Sequence, residues 1–254
     1  MVSAPRRRRP MMPDTPQRRE LEQQRGIREI VFGVQDGILT TLGIVTGVGA
    51  AGPARSTILL TGLISLVVGA ISMAAGEYLG GKSEREVVEN AIALERAEMA
   101  DHPEEEFAEQ VAYYRLKGFT PDESTMIVQR LVKNPDIWLH EMVRDEFGID
   151  PREAEDAGLR ATLFMGGSFA AGAFIPLLAY IFPLSHLLSQ IASLVLAAIA
   201  LFIIGYIAGG LGGRRPLAKA LEIVGAGALV FVISYIVGTF VPPLFGMHPV
   251  SVGG

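Results

Sequence analysis

Five apolar runs constrain this chain more than any other feature: Ile30–Ala51, Thr57–Gly80, Ala161–Phe182, Leu187–Leu211 and Leu217–Val241. Each is long enough for the about 20 residues that a helix needs to cross a bilayer. A backbone in hydrocarbon must satisfy its own N–H and C=O groups, which at this run length means an α-helix. The breaks carry turn chemistry, with AGPARS before the second run, FPLSH before the fourth and GGRRP before the fifth. Charged residues make up 19% of the chain. They crowd the first 30 residues and positions 82–160. The expected fold class is therefore all-α: a polytopic membrane protein with five transmembrane helices and a cytosolic three-helix insertion between the second and third spans. Its parts are a disordered basic tail (1–25), helices 1–2 (26–81), an acidic helical domain (82–157) and helices 3–5 (158–254).

Lys and Arg set the orientation. The tail is Arg-rich, the insertion is bounded by Lys82, Arg85, Arg152 and Arg160, and the 212–219 loop holds Arg214, Arg215 and Lys219. The alternate segments are poor in both residues. The N-terminus, the insertion and the 212–219 loop are thus placed in the cytosol. No apolar stretch directly follows Arg6–Arg9, so the start is a poor signal peptide. The Arg run reads as a topological signal rather than a nucleic-acid site.

Composition excludes several chemistries. There is no cysteine, hence no disulfide or thiolate metal site. The four histidines lack HxxxH or HxH spacing, and no DxDxDG calcium loop occurs. Nothing points to an enzyme or a resident cofactor.

The insertion carries the acidic chemistry. Between Glu84 and Asp156 lie 20 acidic and 8 basic residues, a balance of −12 against −5 for the whole chain. The second span continues without a breaker to Pro103. Asp101 and Glu104 then mark a helix start, TPDE at 120–123 marks a second, and Asp136–Phe147 forms the third with Gly148 as its cap. Glu95 and Glu98 are spaced i, i+3, as are Glu106 and Glu109, while Met142 and Glu146 are i, i+4. Each pair shares a helix face. Crowded carboxylates raise one another's pKa, and a divalent cation relieves that repulsion. An added thioether biases such a site towards softer first-row metals such as Fe²⁺. A merely solvated acidic surface is the alternative.

Asp36 lies inside the first span, where an acid costs roughly 2.5–3.5 kcal/mol near the centre. Met73 lies in the second span at a matched depth of about 10 Å from the cytosolic side. An acid and a thioether on Gly-rich helices fit a transient site for a dehydrated Fe²⁺. The alternative is an Asp36 that is protonated or bonded to Thr40, with Met73 as packing. Glu77, near the boundary, either extends a negative funnel or is interfacial. Gly62, Gly69 and Gly76 repeat every seven residues, and Gly43/Gly47 and Gly205/Gly209 form GxxxG pairs. Such faces pack within one protomer or against a second copy.

GVQDGILTTLGIVTGV, then GAISMAAGEYLGGKSERE, then an acidic helical insertion and three further spans resemble the vacuolar iron transporter family from about residue 26 to the end. The resemblance implies a five-span homodimer with its ion path at the dimer interface. It implies transport of Fe²⁺, often with Mn²⁺, away from the cytosol in exchange for protons, after capture by the cytosolic domain. Asp36 and Met73 match the family's membrane acid and methionine. Glu95, Glu98, Glu106, Glu109, Met142 and Glu146 match its insertion ligands in type and spacing. Where some members carry a membrane glutamate, this chain has Ser65; Glu77 is the candidate to stand in. The partners implied are divalent metal ions, protons, lipid and a second copy, with no nucleic acid. The membrane implied is vacuolar in a eukaryote or the plasma membrane in a bacterium. A membrane-anchored metal sensor or buffer without transport is the competing reading, and an uncoupled channel a third.

Overall fold

The computed structural model describes residues 16–149, 159–212 and 215–246. Eight helices account for the regular structure of these residues: α1 (Pro16–Ala50), α2 (Arg55–Asp101), α3 (Pro103–Leu116), α4 (Pro121–Leu131), α5 (Pro135–Phe147), α6 (Leu159–Ile181), α7 (His186–Leu211) and α8 (Pro216–Leu244). Five of them are long and apolar enough to cross a membrane, namely α1 from Glu29 onward, α2, α6, α7 and α8. At 1.5 Å per residue α2 is about 70 Å long, more than twice the hydrocarbon thickness. Its charges begin at Lys82, so the crossing segment is its apolar first half. The protein is thus an all-helical polytopic membrane protein.

The chain divides into two units, Met1–Ala74 with Leu163–Gly254 and, by itself, Ala75–Thr162. In the first, small residues decide which helices touch. A Cβ at Gly172 would strike the Val34 backbone, and one at Gly37 the backbone of Phe169 and Ala173. One at Gly238 would strike the Gly47 carbonyl. α1 is thereby held against α6 on one side and α8 on another, the close approach that glycine permits in lipid. Two buried clusters fill the remaining space. Ile38 and Leu42 meet Ala197, Leu201 and Ile223, while Val45 and Ile58 meet Leu177, Ala179 and Tyr180. The most apolar stretch of α6 is 56% buried and that of α2 only 11%, so α6 is central and α2 peripheral. The glycine pairs of α1 and α7 pack within the chain. Gly43 and Gly47 face Ser234, and Gly205 and Gly209 face Ala220 and Pro216.

In the second unit α2 packs on α5 through Ala91, Leu139 and Val143, flanked by Ile92, Met99 and Phe147. α4 opens on the expected capping box, with the Thr120 hydroxyl accepting from the Glu123 N–H and the Glu123 carboxylate accepting from the Thr120 N–H. Asn134 caps α5, and Gly148 ends it in the left-handed region at φ 67°.

Three local expectations need correction. α1 begins at Pro16, inside the segment read as a disordered tail; residues 1–15 lie outside the described residues. The stretch QRRELEQQR lacks apolar periodicity, yet it consists of good helix formers, and an established helix extends into such residues at low cost. Asp101 is the last residue of α2, not the cap of α3, whose N-cap is His102 with no side-chain bond. Proline disfavours a helical residue before it, so the break falls on His102. α4 stops at Leu131 rather than Lys133. The expected boundary at 157/158 also lies outside the described residues.

Candidate functional site

Helical spacing places Glu95 and Glu98 one turn apart on α2, Glu106 and Glu109 on α3, and Met142 and Glu146 on α5. Glu95, Glu98 and Glu146 each present one carboxylate oxygen, and these oxygens all lie within 4.8 Å of one another. Glu95 has no accessible surface, Glu98 is half-buried and Glu146 is exposed. Glu106 is buried beside Glu95. Met142, one turn before Glu146, has no accessible surface.

The electrostatics follow from this crowding. Among the described residues both oxygens of Glu95 are buried with no donor to meet them, and they face the carboxylates of Glu146 and Glu106 instead. Burial first, then the Glu146 and Glu106 carboxylates, push Glu95 up to about 8. Glu106 is also raised, chiefly by burial. The neighbouring Glu95 carboxyl opposes the rise, while the charges of Glu109, Glu98 and Glu146 add to it. Without a cation the cluster retains a proton that isolated carboxylates would release. Glu109 is exposed and accepts from the Tyr113 hydroxyl at 3.0 Å. Burial and that bond push Tyr113 up to about 12, keeping it a neutral donor.

Sequence spacing did not single out the brace beside this cluster. Asp145 Oδ2 accepts from Gln110 Nε2 at 2.8 Å and from Lys117 Nζ at 2.5 Å. The Lys117 ammonium also lies 4.4 Å from the centre of the Tyr114 ring. The brace ties α3 to α5, the helices that present Glu106 and Glu146. The i, i+4 relation of Glu106 and Gln110 was the only signal available, and it is common on solvated helix faces.

In the membrane unit Asp36 lines a groove of about 930 Å³ between α1 and α8. Thr40, Thr57 and Ser234 are its other polar side chains, and the remaining lining residues are Gly, Ala, Val, Ile, Leu and Pro. Met73, half-buried on α2, is not among them. Within one chain, then, the groove contains the acid but not the thioether. Glu77 is half-buried and belongs to the Ala75–Thr162 unit. Chemically, the first site offers clustered carboxylate oxygens to a cation. The second offers a single carboxylate in an apolar setting.

The VIT family model matches residues 27–239. The chain is 34% identical over 203 residues to Vacuolar iron transporter 1 of Arabidopsis thaliana, covering 80% of this chain and 81% of that one. It is 32% identical over 212 residues to Vacuolar iron transporter 1 of Oryza sativa subsp. japonica, with 82% of each chain covered. A more distant relative, the Vacuolar iron transporter of Plasmodium falciparum (isolate 3D7), is 27% identical over 224 residues, 84% of this chain and 81% of that one. With the family model spanning most of its length and relatives above 30% identity matched along four-fifths of theirs, this chain belongs to the VIT family.

Proposed function

We propose that the protein transports divalent metal, Fe²⁺ with Mn²⁺ as a second cargo, out of the cytosol in exchange for protons. The relatives are named as iron transporters, which makes the ion a cargo rather than a cofactor and the protein a transporter rather than an enzyme. One observation carries the reading. Glu95, Glu98 and Glu146 converge within 4.8 Å, with the Glu95 oxygens unpartnered, on a chain that has five membrane-crossing helices. A divalent cation satisfies those oxygens and relieves their repulsion.

On this reading the 82–157 segment is a cytosolic capture domain. Glu95, Glu98, Glu106, Glu109, Met142 and Glu146 form its ligand set. Asp36, Met73 and Glu77 belong to the transport path, doubled in a homodimer whose N-terminal tails are cytosolic. Asp36 replaces part of the ion's hydration shell, and protons arriving on the far side compete for the carboxylate and release the metal. The groove gives Asp36 the polar company of Thr40 and Ser234, which supports an ion route there over a purely structural acid.

The test is reconstitution into liposomes with a metal-sensitive dye and an imposed pH gradient. The expected result is uphill Mn²⁺ or Fe²⁺ movement that a protonophore abolishes. Downhill movement alone would mean a channel. Binding with no flux would mean a membrane-anchored buffer.

A further inference from the structure

The geometry points to Gln110 as a further ligand of the acidic cluster, its Oε1 supplying a neutral oxygen to the bound cation. This rests on the reading of the cluster as a metal centre. Gln110 has no accessible surface. A carboxylate oxygen accepts, so the end of the amide that faces Asp145 Oδ2 at 2.8 Å is the nitrogen. That bond fixes the amide's sense, which is otherwise ambiguous for glutamine. Oε1 then points away from Asp145, and among the described residues it is buried without any donor. Protein interiors seldom leave such an oxygen bare.

Its position selects the partner. Gln110 follows Glu106 by four residues, on the same face of α3. Asp145 immediately precedes Glu146 on α5. Glu106 and Glu146 are close enough for the charge of one to raise the pKa of the other. The bare carbonyl is therefore carried one turn from Glu106, on the side of α3 that meets Asp145 of α5. An amide oxygen suits a hard divalent ion and adds no negative charge to a cluster already in mutual repulsion. Asp145, held by Lys117, acts here as a positioning residue for that amide.

A plain brace between α3 and α5 is the rival role, and two variants separate the two. Gln110→Leu removes both the oxygen and the donor. Gln110→Glu removes the donor but keeps an oxygen. The full-length protein in detergent is titrated with Mn²⁺ by electron paramagnetic resonance and with Co²⁺ by its d–d absorption. As a ligand, Gln110→Leu weakens Mn²⁺ binding by roughly 10–100-fold, the range for losing one supporting group at a metal site. Gln110→Glu binds at least as tightly as wild type, with a shifted Co²⁺ band. Equal weakening by both variants, or no change in either, overturns the assignment. Should Gln110→Leu lose helicity by circular dichroism, the glutamate variant decides: a retained affinity with a shifted band sustains it, and an unchanged band or a loss like that of a broken brace overturns it. If the wild-type protein takes up no Mn²⁺, the capture reading itself falls. If wild type binds and the variants behave as a brace would, only the role of Gln110 falls.

Discussion

In the Ala75–Thr162 unit Glu95 faces Glu98, Glu106 and Glu146, whereas in the membrane unit Asp36 lines its groove with no other acid among the lining residues. The first arrangement stores repulsion that a divalent cation relieves, so it favours retention of the ion. The second offers one charge among Gly, Ala and Val side chains, so an ion entering there is met but not held. A pathway must bind strongly enough to admit an ion and weakly enough to release it. On the proposed function, the difference between the two regions is the one between a capture site and a step along a route.

The largest expected effect separates the two. A lone charge in the membrane interior costs roughly 2.5–3.5 kcal/mol on insertion scales, and on the proposed route the Asp36 carboxylate offsets such a cost for the ion. At about 1.4 kcal/mol per decade, Asp36→Asn should lower liposome flux roughly a hundredfold. Mn²⁺ binding by the same purified protein should remain at the wild-type level, read by electron paramagnetic resonance. If the substitution weakens binding as much as flux, the two regions are not separable in function and the comparison fails.

Glu95→Gln tests the opposite end. Mn²⁺ affinity should fall roughly 10–100-fold, and flux should fall at low metal yet recover at saturating metal, a KM effect rather than a kcat effect. A loss of flux that saturating metal does not rescue would place Glu95 on the route. The same residue sets a pH dependence. Its folded pKa, raised from 4.5 to about 8, means that the metal-free protein holds a proton which the unfolded chain has lost across that window. Stability without metal therefore declines as pH rises from 4.5 towards about 8. Mn²⁺ must displace that proton, so its binding should tighten by about tenfold per pH unit below the folded pKa and level off above it. Calorimetric titrations between pH 6 and pH 9 check this, and Glu95→Gln should flatten the curve. A flat wild-type curve would mean that the cluster holds no such proton.

Much of the fold was legible because the relevant force acts locally. The spans are written in run length, and α6 (Leu159–Ile181) differs by two residues at its start and one at its end from the run Ala161–Phe182. Thr120/Glu123 and Gly148 were legible because caps are short-range chemistry. The start of α1 was not, since its first turns are polar and carry no apolar period. At the acidic cluster, i, i+3 spacing paired Glu95 with Glu98, but it carried no information on which α5 acid would meet them. That depends on how α2 packs on α5 through Ala91, Leu139 and Val143. Glu146 enters the cluster while its neighbour Asp145 turns to Lys117 and Gln110. Gln110 was the least legible of all, because a neutral amide on a helix face announces nothing until its burial is known.

The smallest effect concerns α2, the helix that contributes to both units. Its glycines at 62, 69 and 76 share one face by their seven-residue spacing, yet they are not equivalent. A Cβ at Gly62 would meet Leu177 and one at Gly69 the ring of Phe169, both on α6, whereas one at Gly76 meets nothing within 4 Å. Gly69→Ala should therefore cost about 1–3 kcal/mol through overpacking. Gly76→Ala should stay within about 0.5 kcal/mol, as at an open surface position, or gain slightly because alanine favours the helix by up to ~1 kcal/mol. Thermal melts in detergent compare the two variants, and light scattering on the same samples reports the oligomeric state. If Gly76→Ala leaves both readings unchanged, the glycine repeat serves α6 packing at its first two positions and nothing at its third. If it lowers the oligomeric state with the melt intact, Gly76 packs against a second copy. The Gly76 end of that α2 face would then be one on which the two copies of the proposed homodimer meet.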